Sequence, residues 1–159
     1  MPLMDEATWT DTLSFRLGAL GALIADQYAE ALAIHDVKPK HVGLLGVLDK
    51  GLASSQLEIA KLMRVAPSLV VSLADHLEAM GAIERLRDPA DRRRQILSLT
   101  RKGHRLLADC TAKARALDEE LAAGLTASQR TALSEALDRL AASYGLPVSA
   151  KPGAGPAPR

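Results

Sequence analysis

Apolar residues recur at every third or fourth position over most of the chain, and the breaks in that rhythm mark out six helices and one hairpin. From Thr10 to Ile34, Leu13, Leu17, Leu20, Ile24 and Tyr28 form the stripe of a long first helix. Leu3, Trp9 and Phe15 add apolar surface at its start. Pro39, suited to a first helical position, opens a second helix carrying Val42, Leu44, Leu45, Val47 and Leu48, which stops at Gly51. Ser55 with Glu58 three residues on forms a capping box for a short third helix bearing Ile59, Ala60, Leu62 and Met63. A fourth helix begins at Pro67, carries Leu69, Val70, Leu73, Leu77 and Met80, and ends at Gly81. Leu69, Leu73 and Leu77 lie four apart, so Leu69 leans toward the core stripe and Ser68, Val71, Ser72 and His76 are expected to face outward.

The period then shortens. Ile83 to Arg87 and Gln95 to Leu99 read as two short strands around the turn Asp88-Pro-Ala-Asp91. Thr100 caps a fifth helix reaching about Ala123, with Leu106, Leu107, Cys110, Ala114, Leu117 and Leu121 on its apolar side. Thr126 and Gln129 form a second capping box, opening a sixth helix that carries Leu133, Leu137 and Leu140 and fades at Gly145-Leu-Pro147. Two helices joined by a few residues and followed by a basic two-stranded hairpin outline a winged helix-turn-helix. The expected fold is mainly α with a small β-hairpin wing. Residues 38–100 form the winged lobe, residues 1–37 and 101–145 a helical dimerisation region, and residues 146–159 a disordered Pro/Gly/Ala tail.

Composition supports this outline. Hydrophobic residues make up 48% of the 159, but aromatics only 3%, which favours helix packed on helix. No uninterrupted run approaches the roughly 18–20 apolar residues of a membrane span, and no signal peptide is evident at the N-terminus. The single cysteine, Cys110, excludes an internal disulfide and suggests a reducing cytoplasm. Net charge is only +1, yet Glu84 to Arg105 holds eight Lys/Arg against three acids, so a local +5 stands against −4 elsewhere. Arg92, Arg93 and Arg94 crowd one turn. Like charges so placed call for an external anion, and nucleic-acid phosphate is the common one.

The stretch Gly81-Ala-Ile-Glu-Arg-Leu-Arg-Asp-Pro-Ala-Asp-Arg-Arg-Arg-Gln-Ile-Leu-Ser-Leu-Thr-Arg-Lys-Gly103 resembles the wing signature of the MarR family of bacterial winged-helix transcriptional regulators, and the likeness extends over roughly Thr10 to Tyr144. The resemblance implies a homodimer whose N- and C-terminal helices interlock while two winged lobes grip a palindromic double-stranded operator. It places the fourth helix, residues 67–80, in the major groove with Pro67, Ser68, Val71, Ser72 and His76 toward the DNA, and the wing, residues 88–95, in the minor groove. Arg93 matches the wing-tip arginine, Asp91 its brace through a charge-assisted bond, and Arg92 and Arg94 suit phosphates. Ser55 and Gln56 are plausible backbone contacts, and Arg85 and Arg87 are expected on the hairpin's own carboxylates. Relatives often place Thr and Arg where this chain has Val71 and Ser72. Direct base readout is therefore thin, and the wing carries more of the grip.

The same resemblance implies a repressor that responds to a small anionic or aromatic effector between the dimer helices and the winged lobe, with Arg16, His35, His41 and Arg87 as candidate ligand residues. Cys110, midway along an apolar stripe, reads as core. No cofactor or metal is expected. The four histidines lack metal-ligand spacing, and no phosphate loop or catalytic triad motif is present, so an enzyme is disfavoured. The competing reading is a winged-helix protein-interaction module that does not bind DNA.

Overall fold

The computed structural model describes residues 8–146. Leu3 and the Pro/Gly/Ala tail from Pro147 onward lie outside the described residues. Six α-helices and a two-stranded antiparallel sheet follow the order expected. They fall into two compact units, up to Leu117 and from Asp118 onward.

In the first unit a 3-10 turn, Trp9–Asp11, leads to α1, Leu13–Leu32. Thr12 is its N-cap, with Oγ1 accepting from the Phe15 N–H. A second 3-10 turn, Ala33–His35, is stopped by Asp36 in the left-handed region, at φ 55°. Pro39 occupies the first turn of α2, Pro39–Asp49. The Ser55/Glu58 capping box forms as read, opening α3, Gln56–Met63, and Arg64 at φ 55° ends that helix. The next helix, α4, spans Pro67–Ala79. Gly81, at φ 74°, makes the turn into β1, Ile83–Arg87. Its antiparallel mate β2, Gln95–Leu99, pairs Ile83 with Leu99, Arg85 with Leu97 and Arg87 with Gln95. The Leu97 N–H also donates to the Ser54 carbonyl, which ties β2 to the entrance of α3.

The core gathers Leu32, Leu44, Leu45, Ile59, Val70, Leu77, Ile83 and Cys110, all fully buried. The buried face of α4 is Val70, Leu73, Ala74 and Leu77, and half-buried Leu69 packs against it, toward the core as read. Helix α4 meets α2, α3 and β1 along this stripe. Cys110 is core as read, and burial raises its thiol pKa.

After Thr100, α5 runs Arg101–Leu121, and its first turn is built against the strand entrance. Thr100 Oγ1 accepts from the Gly103 N–H and donates to the Gly81 carbonyl. The second unit holds the end of α5 and α6, Ala127–Ser143, opened by the Thr126/Gln129 capping box. Helix α6 buries no residue. Leu133, Leu137 and Leu140 are each 45% exposed, and on α1 Leu13, Leu17, Leu20 and Leu23 are open as well.

Leu13–His35, with mean hydropathy 1.2, is long and apolar enough to cross a membrane by length and composition. A count of uninterrupted apolar residues overlooked this, because Arg16, Asp26 and Glu30 break the run without lowering its mean much. The C-terminal part of the helix is packed on the lobe: Leu32 is fully buried, and the Tyr28 hydroxyl donates to the Cys110 carbonyl.

Candidate nucleic-acid interface

The wing turn is shaped by its two aspartates. Asp88 Oδ1 accepts from the Ala90 N–H at 2.8 Å, and the Asp88 N–H donates to the Arg94 carbonyl at 2.9 Å. Asp91 Oδ1 accepts from the Arg93 main-chain N–H at 3.0 Å, and the Asp91 carbonyl accepts from the Arg94 N–H at 2.9 Å. The brace expected of Asp91 therefore acts on the Arg93 backbone, not on its guanidinium. A short side chain in a turn reaches its own main chain two residues on more readily than a long side chain can fold back to it. The result is a fixed turn with Arg92 and Arg93 exposed at its tip, neither in an ion pair among the described residues.

Arg94 faces elsewhere. Its Nη2 lies 3.2 Å from Glu58 Oε1, so the expected phosphate contact is replaced by a link from the wing base to α3. Glu58 also accepts from the Ser55 N–H through Oε2. The bonds from Ser55 and then the Arg94 guanidinium hold the Glu58 carboxyl below the usual carboxylate range. Arg85 pairs with the α4 acids Asp75, at 2.5 Å, and Glu78, instead of with acids of the hairpin. This clasp fixes β1 to α4 and engages Asp75 on the exposed side of α4, which also carries Ser68 and Ser72. Arg87 is exposed.

On α4, Pro67, Ser68, Val71 and Ser72 are exposed as read and form one continuous polar-to-apolar face. His76 is not free: it is half-buried, with Nε2 2.7 Å from the Asp36 carbonyl oxygen and 3.7 Å from the Asp36 carboxylate. Ser55 and Gln56 also turn inward. The Ser55 hydroxyl is buried as the α3 cap, and Gln56 Oε1 is enclosed without a hydrogen-bond partner among the described residues.

The candidate effector residues do not converge. Arg16 pairs with Asp11 at 3.3 Å near the start of α1, about 28 Å of helix rise from His35 at its far end. His35 is half-buried, and its Nε2 is enclosed without a hydrogen-bond partner among the described residues. His41, 8% exposed, accepts from the Lys38 N–H through Nδ1 at 2.9 Å. Its ring lies 4.7 Å from that of His76, centroid to centroid, at 40°. Burial, then the neighbouring His76 and Lys38, hold the His41 pKa below the ordinary histidine value. Beside this pair is a cavity of about 590 Å³ whose wall includes Lys38, His41, Ser72 and His76. Sequence reasoning missed Asp36 and Lys38. Their one signal is the break between the α1 stripe and Pro39, where a junction must turn and so can meet a distant helix.

A sequence profile of the MarR family matches residues 35–94. A putative transcriptional regulatory protein for the hcr operon of Thauera aromatica is 32% identical over 115 residues, spanning 72% of this chain and 69% of that protein. The HTH-type transcriptional repressor MdtR of Bacillus subtilis (strain 168) is 35% identical over 91 residues, 57% of this chain and 59% of its own length. Among solved structures, CouR of Rhodococcus jostii RHA1 bound to p-coumaroyl-CoA superposes with a TM-score of 0.74 at 26% identity, covering 91% of this chain and 99% of CouR. CouR bound to a 23-mer DNA duplex gives a TM-score of 0.73 over 89% of this chain and 99% of CouR, also at 26% identity.

Proposed function

From the premise that the chain belongs to the MarR family of transcriptional regulators, we propose that it is a cytoplasmic homodimeric repressor that binds a palindromic double-stranded operator and releases it in response to a small ligand. Residues 67–80 lie in the major groove and the wing, residues 88–95, in the minor groove. The observation that carries this reading is the wing tip, where Arg92 and Arg93 stand exposed, in no ion pair among the described residues, on a turn held by Asp88 and Asp91. A cation presented on a preformed turn loses little further entropy on meeting a groove. The α4 face supports major-groove docking with modest base discrimination: Ser68 and Ser72 supply hydroxyls and Val71 a methyl for thymine, with no bidentate side chain.

The dimer reading rests on the leucines left open on α1 and α6, each forgoing about 1.5–3 kcal/mol of burial in an isolated chain. Residues 1–37 and 101–145 would supply that seam and residues 38–100 the DNA-binding lobe. The repressor assignment follows the name of MdtR, and the DNA and small-molecule assignments follow the two CouR complexes.

Selection from random duplex DNA tests the core of this reading. Recovery of a palindrome whose affinity falls at least tenfold in Arg93→Ala, but little in Ser72→Ala, supports a wing-dominated regulator. Failure to recover any sequence at low salt would overturn it in favour of a winged protein-interaction module.

A further inference from the structure

The hairpin is tied to the helix-turn-helix on both edges. Arg85 of β1 pairs with Asp75 and Glu78 of α4, and the Leu97 N–H of β2 donates at 2.9 Å to the Ser54 carbonyl ahead of α3. Arg85 and Leu97 are cross-strand partners. The two ties therefore lie side by side on one line across the hairpin, and a ribbon held along one line can still rock about it. Beyond that line, toward the tip, Leu86, Arg87 and Gln95 are exposed. A two-stranded ribbon without packing on its faces has little rigidity of its own.

Arg94 reaches back from beyond the line. It stands three residues from Leu97, about 10 Å nearer the tip at the rise of a strand. Its Nη2 lies 3.2 Å from Glu58 Oε1, and its main-chain carbonyl accepts from the Asp88 N–H, closing the turn that carries Arg92 and Arg93. The Glu58 end of this pair is already in place. Glu58 Oε2 accepts from the Ser55 N–H, and the Glu58 N–H donates to Ser55 Oγ. Because the α3 cap orders the carboxylate, the ion pair costs the rotamer freedom of one side chain and not of two.

We propose that Arg94 is a positioning residue for operator binding: through Glu58 it fixes the angle of the wing against α3, so that Arg92 and Arg93 meet the minor groove while α4 lies in the major groove. This assignment rests on the operator-binding reading above. It gives neighbouring arginines different tasks, Arg92 offering its charge to DNA and Arg94 keeping its own within the fold. The distinction has a sign. Neutralising Glu58 adds a positive charge beside the DNA and releases Arg94, so electrostatics alone calls for tighter binding. Loss of the tie calls for weaker binding, because the wing must then be ordered on contact.

The test uses the full-length chain, the selected operator and the variants Glu58→Gln, Arg94→Gln and their combination. Glutamine at position 58 still closes the α3 capping box, so the helix keeps its start. Each single variant is expected to weaken operator binding about threefold to fivefold, the scale of an exposed ion pair. Arg94→Gln is expected to leave the slope of log affinity against log salt unchanged, and the double variant to bind no worse than the singles. In the DNA-free chain, nitrogen-15 relaxation and relaxation dispersion should show greater mobility of the Arg92 and Arg93 amides in both single variants. Equal or tighter binding by Glu58→Gln, a slope reduced by about one unit in Arg94→Gln, additive losses in the double variant, or unchanged amide mobility each overturns the assignment. Arg93→Ala binding as tightly as the wild type would overturn the operator reading instead, and the amide mobility would still decide whether Arg94 holds the wing.

Discussion

Gly103 is where the wing entrance and the start of α5 meet most closely, and replacing it with alanine separates two opposed effects. On helix propensity alone the substitution would stabilise by up to about 1 kcal/mol. The tertiary contact runs the other way. A Cβ at Gly103 would lie 2.0 Å from the Ala82 carbonyl oxygen, 3.0 Å from the Ala82 carbonyl carbon and 3.1 Å from Leu99 Cδ2. Ordinary contact needs the backbone to part by about 1 Å or more. That backbone is held on both sides. The Ala82 carbonyl accepts from the Thr100 N–H at 3.1 Å, and the Ala82 N–H donates to the Leu77 carbonyl at 2.9 Å. Overpacking costs about 1–3 kcal/mol, and weakening two hydrogen bonds adds about 2 kcal/mol. After the propensity gain, the net is a loss of about 2–4 kcal/mol. Urea unfolding followed by circular dichroism at fixed protomer concentration reads this as a midpoint lowered by about 1–2 M. A midpoint equal to or above that of the wild type would refute the argument, because propensity would then outweigh a clash with main-chain atoms.

Other consequences are open to similar measurement. Arg92→Ala should reduce the slope of log affinity against log salt by about one unit, as for one phosphate neutralised, and an unchanged slope would remove Arg92 from the contacts. Leu137→Glu on the open face of α6 should reduce the mass in light scattering from that of the proposed dimer to that of a monomer, whereas an unchanged dimeric mass would move the seam off that face. The lowered His41 pKa has a stability consequence of definite sign. The unfolded chain binds the proton more readily, so the stabilising contribution is present above the ordinary value of 6.5 and is lost as pH falls below it. Thermal unfolding of the wild type should weaken on going from neutral to mildly acid pH, and His41→Gln should flatten that dependence. An equally steep profile in the variant would assign the titration to another group.

Local rules account for what was legible without coordinates. The caps at Ser55 and Thr126, the prolines at 39 and 67, the turn at Gly81 and the strands on either side of Asp88–Arg94 act through backbone hydrogen bonds and dihedral limits spanning three or four residues. Such constraints are written into adjacent positions, so element order and the wing turn could be read directly. Tertiary structure decided how deeply two neighbouring apolar residues enter the core, Val70 fully and Leu69 by half, because that depends on how α4 meets its neighbours. It also decided where the charges go. Arg94 and Glu58 are 36 residues apart, and His76 and Asp36 are 40 apart. An exposed ion pair is worth at most about 1 kcal/mol and imposes no spacing on the sequence. The cavity beside His41 is of the same kind: only the packing of α1, α2 and α4 brings Lys38, His41, Ser72 and His76 to one space.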